Sequence, residues 1–139
     1  MPFINVIVSA QPDAALSARI AGEVANLTHR ILGKDPAVTA VAVSCIGPQH
    51  WFAGGRSLAA TGMTSFWLDI KITEATNTKA EIAEFIDAIY GTLAGLLSKT
   101  GGPVHPESYA LVDAVPAHAY GFGGRTQEHR FITARPGKT

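Results

Sequence analysis

Residues 51–55 read Trp-Phe-Ala-Gly-Gly and residues 120–124 read Tyr-Gly-Phe-Gly-Gly. The pattern aromatic-x-x-Gly-Gly thus occurs twice, 69 positions apart. That distance holds one strand–helix–strand unit and a linker, so it reads as an internal duplication. The residues upstream of each copy support the reading. Residues 2–9, PFINVIVS, are β-rich and almost wholly apolar, as in a strand covered on both faces. Pro12 and Asp13 then open a helix with Leu16, Ile20, Val24, Leu27 and Ile31 on one stripe, and Gly33 stops it. Residues 38–46 form a second strand.

The same order precedes the second copy. In residues 65–73, Leu68, Ile70 and Ile72 alternate with Trp67, Asp69 and Lys71, the period of a strand. Thr78 and Glu81 make a capping box that starts a second helix. Its stripe is Ile82, Phe85, Ile86, Ile89, Leu93 and Leu96, and residues 100–103, TGGP, break it. Residues 108–115 form a fourth strand. Residues 47–62 read as a loop, and a polar tail carrying Arg125, Arg130, Arg135 and Lys138 follows Gly124.

The predicted fold is α+β: two tandem βαβ units, a four-stranded sheet, and both helices on one face. Residues 1–139 make a single domain, with units at 2–55 and 64–125 and a tail at 126–139. Two helices cover one face of the sheet, yet the first strand is apolar on both. The other face is therefore expected to meet another copy, giving an oligomer.

Composition narrows the class. Hydrophobic residues make up 47% of the chain and charged residues 16%, enough for a packed core. Lys plus Arg and Asp plus Glu are both 11, so no charge excess asks for nucleic acid or an anionic membrane. No apolar run approaches the roughly 20 residues of a membrane span. The N-terminus lacks the basic region of a signal peptide. The lone cysteine, Cys45, suits a cytoplasmic protein and reads as a buried, inert thiol. The five histidines show no metal-ligand spacing.

Pro2 is the first chemical candidate. Proline is small enough for the initiator methionine before it to be removed, which leaves a secondary amine at the head of a strand. An α-amino group titrates at about 7.7–8.0, and an apolar pocket favours its neutral form. Such an amine serves as general base and, once protonated, as general acid.

Pro2 at the head of a βαβ unit, the repeated aromatic-x-x-Gly-Gly motif and the stretch VPAHAYGFGG at 115–124 together resemble the tautomerase superfamily. This is the family of 4-oxalocrotonate tautomerase and macrophage migration inhibitory factor. The resemblance spans about residues 2–125. It implies a homotrimer that needs no cofactor. It also implies a proline amine, Pro2, that moves protons on a small carboxylate substrate, a 2-oxo acid or its enol. Lys34, in Gly33-Lys34, matches a carboxylate-binding lysine, though a lysine at a helix C-terminus is equally at home there. His29 resembles a carboxylate-binding histidine of cis-3-chloroacrylic acid dehalogenase, against the same helix-end alternative. Tyr109 matches an active-site tyrosine able to donate to a developing enolate. Tyr120 stands where a pocket phenylalanine keeps the amine desolvated, and Arg125 follows the second Gly-Gly within reach of a neighbouring subunit's site. Trp51, the duplicate of Tyr120, reads as structural, and His105 and His118 read as turn residues.

The departures count too. The dehalogenase arginines are missing from residues 73–77, and its water-activating glutamate falls at Phe122. Pro12, Asn77, Ala40 and Tyr109 replace the clamping arginines of 4-oxalocrotonate tautomerase. A monocarboxylate is therefore expected. The alternatives are a hydratase, decarboxylase or dehalogenase of an unsaturated acid on the same scaffold, and a non-catalytic oligomeric binding protein.

Overall fold

The structure is a computed structural model that describes residues 2–134. Met1, Arg135 and Lys138 lie outside the described residues. Strand β1 (Phe3–Val8) leads into helix α1 (Ala14–Leu32) and then strand β2 (Ala40–Cys45). A short hairpin, β3 (Phe52–Ala53) and β4 (Arg56–Ser57), closes the first half, with a one-turn helix α2 (Leu58–Thr61) behind it. The second half repeats the series: β5 (Phe66–Thr73), α3 (Lys79–Gly101), β6 (Tyr109–Val115), the hairpin β7 (Gly121–Phe122) and β8 (Arg125–Thr126), and helix α4 (Gln127–Ala134).

Local chemistry accounts for the helix limits. Asp13 caps α1 by accepting from the Ala15 and Leu16 amides at 2.9 and 3.2 Å. Gly33 ends it in the left-handed conformation, φ 70°, bonding back to His29 and Thr28. At α3 the capping box is complete: the Glu81 amide donates to Thr78 Oγ1 at 3.1 Å, and the Thr78 amide to Glu81 Oε1 at 2.8 Å.

The sheet order is β2-β1-β5-β6, with β1 parallel to β2, β5 parallel to β6, and β1 antiparallel to β5. Even-numbered residues of β1 and β5 face the helices. Ile4, Val6, Val8, Phe66, Leu68, Ile70 and Ile72 are buried there with Leu16, Ile20 and Val24 of α1 and Phe85, Ile89 and Leu93 of α3. The α3 stripe runs one position off the expected one at its end, where Leu97 is buried and Leu96 only partly. Ile86 is exposed. Cys45 is half-buried rather than buried.

Two expectations fall. Residues 47–62 are not a plain loop, because they hold the hairpin and α2. Residues 127–134 are not a plain tail either. Thr126 accepts from the His129 amide at 3.0 Å and caps a helix, which Arg130 pins by donating to the Phe122 carbonyl at 2.9 Å. Its weak apolar pattern hid that helix.

The face of the sheet away from the helices is uncovered in the single chain. Phe3, Tyr109 and Leu111 are exposed on it at 47%, 52% and 47%. Between them lies a polar cluster centred on Asp69. Its carboxylate accepts from Trp67 Nε1 (2.7 Å), Lys71 Nζ (2.8 Å) and Asn5 Nδ2 (3.1 Å). Burial would raise the Asp69 pKa, but these three donors together hold it below the usual carboxylate value. No helix among the described residues is long and apolar enough to cross a membrane.

Two stability measurements test this packing. Gly91 is exposed inside α3 with open space where a Cβ would stand. Gly91→Ala should raise urea-denaturation stability by about 0.5–1 kcal/mol. Leu93 is fully buried, and Leu93→Ala should lower stability by about 2–5 kcal/mol. Because the folded pKa of Asp69 is depressed, its contribution is present above the unfolded value of about 3.9 and is lost as pH falls through the lower folded value. Asp69→Asn should therefore weaken the fold at pH 7 and flatten its loss of stability below about pH 4.

Candidate functional site

Pro2 is buried at the foot of β1. Its carbonyl accepts from the Ala40 amide at 3.2 Å, which ties it to β2. Beside it lies a cavity of about 410 Å³ walled by Val38, Thr39, Tyr120 and Phe122 among others. None of the side chains that line it is charged.

The far wall comes from the second hairpin. Gly123 and Gly124 turn it at φ 61° and 78°, a pair of left-handed residues that glycine supplies without strain. The Gln127 amide donates to the Tyr120 carbonyl at 2.7 Å, so the hairpin base is pinned. The Phe122 ring is covered by the Arg130 guanidinium at 3.8 Å. These contacts set the Tyr120 side chain against the start of β1. Its hydroxyl accepts from the Phe3 amide at 3.0 Å and donates to the Lys71 carbonyl at 3.5 Å.

The first hairpin is built the same way. Gly54 and Gly55 have φ 60° and 78°, the Leu58 amide donates to the Trp51 carbonyl at 2.9 Å, and Ser57 caps the following helix. The strand of the second half, however, starts after Ser65, with no proline.

Of the residues read from the sequence, Pro2 and Tyr120 meet in one cavity. The other four stand elsewhere in the chain. Lys34 donates to Thr76 Oγ1 at 2.9 Å, and burial pushes its pKa below the ordinary lysine value against the pull of Glu81. His29 Nδ1 lies 3.1 Å from the Lys34 carbonyl, at the end of α1. Tyr109 is level with Trp67 and hence with Ile7, about 16 Å along the sheet from Pro2. Its hydroxyl donates to Glu107 at 3.1 Å, which raises its pKa. Arg125 donates to His129 at 3.0 Å and lines, with His118, a smaller cleft of about 320 Å³ that also borders Tyr120.

Some participants were not read from the sequence. Val38 and Thr39 wall the cavity only because the turn at Pro36–Val38 precedes β2, and nothing in their types marks this. Asn77 caps the end of α1 by donating to the Leu32 carbonyl at 3.0 Å. The alternation of Trp67, Asp69 and Lys71 pointed to the uncovered face, but not to Asp69 as a hub. Among the described residues, no group of three metal-ligating side chains gathers.

No family model and no curated protein matches the sequence. Solved structures do match over nearly the whole chain. An R7 fused 4-OT, a wild-type asymmetric trimer, is 15% identical at TM-score 0.77, covering 92% of this chain and 98% of that one. Pt0534 inactivated by 2-oxo-3-pentynoate is 12% identical at TM-score 0.73, again with 92% and 98% covered. N1, a member of the cis-3-chloroacrylic acid dehalogenase family, is 18% identical at TM-score 0.72, with 96% and 92% covered. The chain therefore has the fold that the tautomerase superfamily shares, in its fused form of two βαβ units.

Proposed function

We propose that the chain is a keto–enol tautomerase of a small 2-oxo acid or its enol, with the Pro2 amine as general acid and base once Met1 is removed. The observation that carries this reading is the burial of Pro2 beside an uncharged cavity of about 410 Å³. An amine there loses the solvation that favours its charged form. It can take the hydroxyl proton of an enol and return a proton to carbon, so substrate and product have the same atoms. The chemistry is proton transfer alone and calls for no cofactor. The inactivation of Pt0534 by a 2-oxo acid supports the substrate class.

A carboxylate in such a pocket wants a cation. Lys34 and His29, close to each other at the end of α1, are the candidates in this chain. In a homotrimer, Tyr109 on the exposed edge strand and Arg125 on the hairpin would come to the cavity from a neighbouring copy. The uncovered sheet face and the trimeric fused 4-OT support that assembly. Hydration or dehalogenation, the chemistry suggested by the likeness to N1, needs a group that activates water, and no acid lines the Pro2 cavity.

Intact mass should show a chain lacking Met1. Processed Pro2→Ala should lose about 100-fold or more in kcat/KM for ketonisation of phenylenolpyruvate. Turnover equal to wild type would overturn the reading.

A further inference from the structure

We propose that Tyr120 is a catalytic hydrogen-bond donor of the Pro2 cavity, its hydroxyl engaging the carbonyl or enolate oxygen of the bound acid, and not only an apolar wall. The proposal rests on the reading of Pro2 as acid and base, and it names the group that would work with it.

Three observations carry it. The first is position. The Tyr120 oxygen is hydrogen-bonded at 3.0 Å to the Phe3 amide, the N–H immediately after the Pro2 ring, and the residue lines the same cavity as Pro2. In a keto–enol shift the proton moves between an oxygen and the carbon one atom away from the carbonyl carbon. A group that holds that oxygen must therefore stand close to the nitrogen that serves the carbon. Among the described residues lining the cavity, the only other side-chain hydroxyl is that of Thr39.

The second is rigidity. The Tyr120 carbonyl is held by Gln127, and Gly121 packs so tightly on the Arg125 carbonyl that a Cβ would collide with it. The ring is thus in place before the ligand arrives, and only the hydroxyl proton, aimed at the Lys71 carbonyl at 3.5 Å, has to turn to the substrate oxygen. Accepting from the Phe3 amide also polarises the hydroxyl, which strengthens the bond it gives.

The third is the comparison within the chain. The first hairpin has the same glycine pair and the same amide-to-carbonyl bond at its base, but carries Trp51 where the second carries Tyr120. A ring suffices to wall a cavity, and tryptophan has one. The hydroxyl occurs only in the hairpin that faces the proline. Tyr120 therefore brings to the proline a hydroxyl oxygen that Trp51 does not bring to the first hairpin, and the Phe3 amide fixes where it stands.

In the step itself, the Pro2 nitrogen takes the enol proton and delivers it to carbon, while Tyr120 keeps its own proton and stabilises the oxygen by hydrogen bonding. The test compares Y120F, Y120A and Pro2→Ala with wild type on phenylenolpyruvate, after circular dichroism has shown each to be folded. Y120F should lower kcat about 100-fold while changing KM less than about threefold. The acid limb of its pH–rate profile should stay where wild type has it. A Y120F enzyme within twofold of wild type, alongside a crippled Y120A, would make Tyr120 a wall only and overturn the proposal. A shifted acid limb in Y120F would overturn it as well, because the residue would then act through the amine. If Pro2→Ala is crippled and Y120F is not, only the donor role falls. If neither changes turnover, the tautomerase reading falls with it.

Discussion

The strand that starts at Phe3 is hydrogen-bonded along both edges, and the arrangement at Pro2 depends on that pairing. β2 takes one edge in parallel and β5 the other in antiparallel. Pro2 stands just before the strand begins, so the ladder does not draw on its nitrogen. The next amide, on Phe3, goes to a side chain 117 residues away. Start and finish of the fold are thus joined at one hydrogen bond, and the cavity is complete only when both halves have formed. The apolar core beneath, shared by α1, α3 and the inner face of the sheet, keeps the strand from shifting register. A slip of one residue would turn Ile4, Val6 and Val8 away from the helices.

Duplication explains the architecture and then stops explaining the site. Both halves contain the same strand, helix, strand and Gly-Gly hairpin, with hairpin glycines matching within a degree in φ. They differ where chemistry enters. One half opens on proline and the other on serine; one hairpin presents an indole and the other a phenol. The helix after the hairpin is one turn in the first half and eight residues in the second. That added length lets Arg130 reach back to Phe122 and stiffen the wall beside Pro2. Symmetry supplies the frame, and departures from it make one end different.

Elements with strong local signals were legible from the residues. The capping box at Thr78, the Gly33 stop and the alternation in β5 each depend on contacts a few positions apart, so sequence spacing carries them. The β3–β4 hairpin and α4 were missed for the opposite reason. Two-residue strands have no period to read, and α4 is held by a cation over a ring and a capping threonine rather than by an apolar stripe. At the site, Pro2 and Tyr120 were legible because a motif marks each of them. Tyr109 and Arg125 carry marks of the same kind, yet one chain holds them away from Pro2. Which side chains share a cavity depends on strand register and on neighbours across the sheet, and a single chain's spacing does not encode the second. Lys34 is a different case: its contact with Thr76 comes from a loop 42 residues later.

The Asp69 cluster has a consequence for whatever covers that face. Its carboxylate has an ammonium, an indole and an amide from its own chain, but the same Lys71 ammonium also stands 3.9 Å from the half-exposed Asp113, so two acids share one cation. Apolar neighbours such as Leu111 attract without direction, whereas the surplus carboxylate beside them asks the covering surface for a donor. A surface that meets Asp113 with a donor would be oriented by it, while one that does not would bury a carboxylate short of partners.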